Sequence, residues 1–254
     1  MPAQPVERNA FLARLSPSEL ALLRPHLASF EMRVDDYLHY LGDKIDEVIF
    51  PRSGLVSLSI PVREGAGAAI LAGREGLIGG YAAAAAAPAT CDAEVCIGGG
   101  ALRMSAAVFR HVLEQNSSIR RLAAQFDIAM LAQAQQTALC NAAHPVEARI
   151  CRLLLEVDDH NELGRVPLTQ ATIGRMLSVR RTTVTLVAQR LEIAGVINCR
   201  RGYMQIVGRD ELERRACECY GHLKQSRGRI FAAPETITVI GPPLDELAAG
   251  RKAL

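Results

Sequence analysis

The sequence predicts an α+β chain in three parts: an N-terminal, jelly-roll-like β roll, a long helix and a C-terminal winged helix-turn-helix. Three observations predict it. Alternating apolar residues and frequent glycines fill residues 31–104. A helical period takes over after Ser105. Near the end stands an ordered run of cap, short helix, turn, second helix, glycine and hairpin.

The first element is a short helix opened by Ser16-Pro17-Ser18-Glu19, which offers a capping oxygen, a proline in the first turn and an early acid. In SGLVSLSI, Val56, Leu58 and Ile60 alternate with Ser57 and Ser59, the pattern of a half-buried strand. Ser117 or Ser118 is expected to cap a helix reaching about Asn141, a rod of roughly 36 Å. Ile119, Leu122, Phe126 and Met130 form one stripe along it. That stripe reads as a dimer interface; the alternative is a helix packed wholly within its own chain.

His144-Pro145 breaks this rod, and another helix runs to about Asp159. Thr169 is the expected cap of a helix over 170–177. A second follows over 181–194 and stops at Gly195, and VINCRR pairs with YMQIV around Gly202. Asp210 is expected to cap a last helix through Cys219. From Gly221 the chain is read as a tail in which TITVI is a candidate strand. The predicted units are 1–116, 117–143, 144–222 and 223–254.

Charge is unevenly spread. The net is −3 over residues 1–116, +6 over 117–230 and −1 beyond. Residues 164–191 hold five arginines and no acid. One sign on an exposed face points to a polyanionic partner, here double-stranded DNA. Apolar Ile173, Leu177, Val184, Val187 and Leu191 would join the two short helices to the core. The second helix then turns Arg180, Arg181, Thr182, Thr185, Gln189 and Arg190 outward. Near the start of such a helix these groups reach base edges. Thr169 and Gln170 at the first helix's N-terminus, with Arg200 and Arg201 in the wing, suit phosphate.

The stretch HPVEARICRLLLEV … LTQATIGRMLSVRRTTVTLVAQRLEIAGVINCRRGYMQIV resembles the DNA-binding half of the Crp/Fnr family of bacterial transcription regulators, and VIFPRSGLVSLSI resembles that family's β roll. The resemblance covers about residues 10–215. It implies a homodimer that reads a two-fold operator and contacts RNA polymerase. Where relatives carry a Glu and, four residues on, an Arg in the recognition helix, Thr182 and Leu186 stand here, and Ser178 replaces the turn glycine. The usual half-site is therefore not implied. The Arg-Ser pair of cyclic-AMP-binding members is replaced by Pro88-Ala89-Thr90, so binding of that nucleotide is not expected. GREGLIGG at 73–80 reads as a turn, with an anion site at Arg74 as the alternative.

No cofactor and no metal site is expected, and the effector is left unassigned. Seven cysteines suit reduced thiols, and none lies near the N-terminus, where the family's iron–sulfur members place theirs. Cys217 and Cys219 offer an alternative, a redox- or metal-responsive regulator on the same scaffold. On a continuous helix, though, positions i and i+2 diverge by about 200°. Cys140 and Cys151 read as core, and His39, His111, His144 and His160 show no metal spacing with one another. No nucleophile elbow or paired carboxylates suggest an enzyme. No signal peptide or bilayer-length apolar run is read, so a cytoplasmic, membrane-free protein is expected.

Overall fold

The N-terminal half closes around two antiparallel sheets. A computed structural model describes residues 8–62, 65–160 and 165–231. One sheet has the order β1 (Ala28–Met32), β7 (Gly99–Ser105), β3 (Glu47–Pro51). The other runs β2 (Tyr37–His39), β6 (Asp92–Ile97), β4 (Leu55–Val62), β5 (Gly65–Ala72). The Ser53-Gly54 turn joins β3 to β4. Val56 of β4 stands opposite Ala72 of β5 and Val95 of β6. Ile49 of β3 faces the other sheet, whereas Val48 and Phe50 face the helices, where Phe11 is the hub, with ring centroids 5.9 Å from Phe50, 6.2 Å from Phe109 and 5.5 Å from Phe126. Such tilted aromatic contacts add about 0.5–1.5 kcal/mol each beyond area burial.

The short N-terminal helix α1 (Pro17–Leu23) opens as its sequence dictates. Ser16 accepts from the Glu19 amide while Glu19 returns a bond to the Ser16 amide, a complete capping box. After α2 (Gly80–Ala85) and α3 (Ala106–Gln115) comes the long helix α4 (Ser117–Ala143). Its cap position is Asn116, not a serine. Ser118 lies in the first turn and bonds the Glu19 carboxylate of α1.

β4 departs from half-burial. Ser57 and Ser59 are buried beside Val56 and Leu58, whereas Ile60 is 52% exposed. The serine face shares its side of the sheet with Leu55 and Leu71, and these belong to one core with the C-terminal module. That module therefore covers a face that alternation alone assigns to water.

The C-terminal module comprises α5 (Val146–His160), α6 (Gln170–Met176), α7 (Arg181–Ile193), β8 (Ile197–Arg200), β9 (Tyr203–Ile206) and α8 (Arg209–Arg215). The break at His144-Pro145 stands between α4 and α5 as the proline requires. The last helix expected through Cys219 is instead two: α8 ends at Arg215, and α9 (Cys219–Ile230) begins after a turn. α9 crosses the expected 222/223 boundary and packs on α4, with Phe231 4.6 Å from Phe126. TITVI lies outside the described residues.

That packing covers, within the chain itself, much of the stripe expected at a dimer interface. Ile119 and Phe126 are 0% and 2% exposed in the chain's own core. Leu122 packs against the same cluster, and Met130 against the β4–β6 cluster. Further along, the stripe continues as Gln133, Thr137 and Cys140, also buried, and Arg227 of α9 donates to Gln133 at 3.2 Å. An apolar stripe shows that a face is covered, not which chain covers it. On the opposite face of α4, Ile128, Leu131 and Leu139 are 55–58% exposed.

Candidate nucleic-acid interface

α6 and α7 meet at a tight turn. The Thr169 side chain caps α6 by accepting from the Thr172 amide at 3.1 Å. A Cβ on Gly174 would stand 2.9 Å from the Val179 carbonyl oxygen, so only glycine allows this approach of helix to turn. Ser178 takes a left-handed φ of +52° where the turn reverses. From α5, Arg149 donates to the Leu177 carbonyl at 2.6 Å and holds the turn against the module's first helix.

On α7, Val184, Val187, Ala188 and Leu191 are buried. Arg181, Thr182, Leu186, Gln189 and Arg190 are exposed, Thr185 is half-buried, and Arg180 is exposed at the cap. Helical period thus places 181, 182, 185, 186 and 189 along one edge. Thr185 spends its hydroxyl locally, donating to Gln170 at 2.7 Å, which ties α7 to the N-terminus of α6. Arg190 approaches Glu147 at 3.8 Å. A groove of about 470 Å³ runs between α6, α7 and the hairpin, lined by Thr169, Gln170, Arg181, Arg200 and Tyr203 among others. Arg201 lies exposed at the hairpin tip. The structure therefore brings Thr169, Gln170, Arg181 and Arg200 of the expected set to one groove with no acid among its lining residues, whereas Arg190 faces Glu147 instead.

Residues 148–215 match the family model of the Crp-like helix-turn-helix domain. Over most of the chain the fold is similar to solved Crp/Fnr-type structures. FixK2 from Bradyrhizobium japonicum is 16% identical and superposes with a TM-score of 0.65, covering 75% of this chain and 98% of that one. A Crp/Fnr-family regulator from Eubacterium rectale is 12% identical, with a TM-score of 0.66 and coverage of 82% and 98%. Another from Thermus thermophilus is 20% identical, with a TM-score of 0.61 and coverage of 74% and 98%. The chain carries a Crp-like helix-turn-helix domain and has a fold similar to that of Crp/Fnr structures. No curated protein matches it in sequence.

The roll meets α4 at a cavity of about 370 Å³ lined by Leu58, Ile70, Tyr81, Thr90, Asp127 and Met130 among others. No Lys or Arg is among its lining residues. Burial pushes the Asp127 carboxyl up to about 6. The turn at 73–80 faces the C-terminal module, because Glu75 accepts from the Gly73 amide and meets His160 of α5. No helix among the described residues is long and apolar enough to cross a membrane.

Two features escaped sequence reasoning. Leu186, noted only as lacking a charge, is 58% exposed, one turn along α7 from Thr182. Cys217 and Cys219 do not share a helix, because α8 has ended before them, so the divergence argued against joint metal ligation does not apply. The i, i+4 pair Cys140 and His144 was the available signal.

Proposed function

We propose that the chain works as a homodimeric transcription regulator that reads a two-fold operator through α7. One observation carries this: an acid-free edge of guanidinium and hydroxyl groups on α7 adjoins the capped N-terminus of α6 and the arginines of the hairpin. Arg181 and Thr182 contact bases and Arg180 supports them. Leu186 sets its methyls against thymine, a partner that the charged residue of relatives does not select. Thr169, Gln170, Arg200 and Arg201 hold phosphate, and Thr185 positions Gln170. The dimer forms along α4 through Ile128, Leu131 and Leu139, and RNA polymerase contact belongs to the same reading.

A duplex selected from a random pool tests it, titrated at several salt concentrations. Affinity is expected to fall steeply with salt, with one unit of log–log slope for roughly each phosphate neutralised. A salt-independent affinity, or none for any duplex, overturns the reading. The roll's cavity suits an apolar ligand with one polar group beside Asp127, and cyclic AMP is expected to leave the titration unchanged. A metal-responsive version of the same regulator is favoured by the convergence of Cys140, His144, Cys217 and Cys219.

A further inference from the structure

Four soft donors, remote in sequence, converge where α4 ends. Cys140 and His144 lie one turn apart, His144 being the C-cap of α4. Cys217 and Cys219 sit in and after the turn between α8 and α9, and this turn brings both thiols to the same side. One donor atom from each of the four lies within 4.8 Å of all the others. Cys140 Sγ is 3.4 Å from Cys217 Sγ, and Cys219 Sγ is 3.6 Å from His144 Nδ1. An ion bound tetrahedrally at about 2.3 Å from sulfur and about 2.0 Å from nitrogen sets its donors roughly 3.5–3.8 Å apart. The observed spacing needs adjustments of only a few tenths of an ångström at these two edges.

The surroundings are those of a ligand set rather than of ordinary core. The three thiols form a buried cluster of their own, with Ala148 as the apolar neighbour packed against it among the described residues. His144 Nε2 faces Glu218 Oε1 at 3.1 Å. That contact places the ring proton on Nε2 and leaves the Nδ1 lone pair aimed at the sulfurs, the usual carboxylate–imidazole support of a metal ligand. Gln136 donates its amide to Cys219 Sγ at 2.9 Å, a bond that favours thiolate. Arg149 and Arg152 of α5 interact electrostatically with Cys140 and Cys217, and they oppose the single negative charge left when three thiolates hold a dication.

We propose that Cys140, His144, Cys217 and Cys219 form a Cys3His site for a thiophilic divalent cation of the zinc class, which staples the end of α4 to the turn between α8 and α9. Each thiol releases its proton to solvent as its sulfur–metal bond forms. Thiolate donors disfavour magnesium and calcium, and four protein ligands leave no open position, so the site is structural or regulatory rather than catalytic. Donors this close enclose one ion, not a multi-iron cluster. The staple bridges the His144-Pro145 hinge and so fixes the angle at which α7 is presented. This last consequence rests on the DNA-binding reading above; metal occupancy does not.

The test uses the full chain, purified with reductant and without chelator. Elemental analysis is expected to find one zinc per chain. Cobalt added to the metal-free chain is expected to give the intense visible bands of a tetrahedral thiolate complex, a readout that needs no variant. Cys219→Ser and His144→Ala are expected to lose the metal, Cys199→Ser in the hairpin to keep it, and Glu218→Gln to weaken it about tenfold. Metal removal is expected to lower DNA affinity at least about tenfold, and zinc to restore it. The proposal is overturned by a folded chain that binds neither zinc nor cobalt, by a Cys140–Cys217 disulfide in the native protein, or by equal metal loss from Cys199→Ser. Stoichiometric metal in a chain that binds no DNA would leave the site standing and sink the reading of the preceding section.

Discussion

His160 Nε2 lies 2.6 Å from Glu75 Oε1, a link between α5 of the DNA-binding module and the turn after β5 of the roll. The other ring nitrogen meets the Glu156 carbonyl at 2.5 Å, so both nitrogens face acceptors and the ring is held as imidazolium. Burial opposes that charge, as does Arg227, but Glu75 outweighs them and raises the histidine above its usual 6.5. Burial likewise works against the Glu75 carboxylate. His160, Arg227 and the Gly73 amide override it and hold Glu75 at about 2.

The sign of the linkage follows. The histidine's contribution is complete below 6.5 and is lost as pH rises through its raised value. The carboxylate's is complete above 4.5 and is lost as pH falls toward about 2. Raising pH from about 6 to about 9 is therefore expected to lower stability as the histidine loses its proton. His160→Gln should flatten this alkaline limb. Calorimetry at both pH values checks it, and an unchanged slope in His160→Gln removes the pair from the account.

The two faces of α4 predict opposite phenotypes. Ile128→Glu with Leu131→Glu places charge on the exposed face and should yield a folded monomer in sedimentation. Phe126→Ala opens a cavity beside Phe11 and Phe231 and should cost about 3–5 kcal/mol without changing the oligomeric state of the folded fraction. A dimer that survives both charged substitutions would place the seam elsewhere.

Local chemistry was legible from the sequence, and long-range pairing was not. Ser16, Thr169 and Pro145 act within four residues of themselves, so capping box, cap and break follow from composition. The stripe of Ile119 and Phe126 announced burial but could not say that the roll and α9 supply the cover. Ser57 and Ser59 obey strand alternation, yet their face is closed by a module more than 100 residues away. The Cys140–His144 spacing was visible, but its partners depend on α8 stopping at Arg215, where no glycine or proline marks the end.

The turn between α6 and α7 holds two residues with opposite needs. Gly174 has no room for a methyl group against the Val179 carbonyl, so Gly174→Ala should cost about 1–3 kcal/mol and impair DNA binding by shifting α7. Ser178 holds a left-handed backbone that costs a non-glycine residue roughly 1–2 kcal/mol. Ser178→Gly relieves this but gains freedom in the unfolded chain, so a net stabilisation of up to about 1 kcal/mol is expected in urea unfolding. Destabilisation by Ser178→Gly would mean that the serine side chain supports the turn.

Arg181 and Arg201 should divide recognition between them. Arg181 opens α7 at the mouth of the groove that also holds Thr169, Gln170 and Arg200, where a guanidinium fork can meet the O6 and N7 edge of guanine. Arg201 stands exposed at the hairpin tip, where it would meet the backbone of a duplex entered by α7. Arg181→Ala is expected to cost about 1–3 kcal/mol on the selected operator and little on unrelated DNA. Arg201→Ala should weaken all duplexes alike and lower the salt slope by about 1. Arg181→Lys separates charge from geometry: it should keep affinity for unrelated DNA while losing base preference, because an ammonium lacks the two-pronged fit. Anisotropy titrations of the three variants on operator and scrambled duplexes decide it, and equal losses from Arg181→Ala and Arg201→Ala on both duplexes would refute the division.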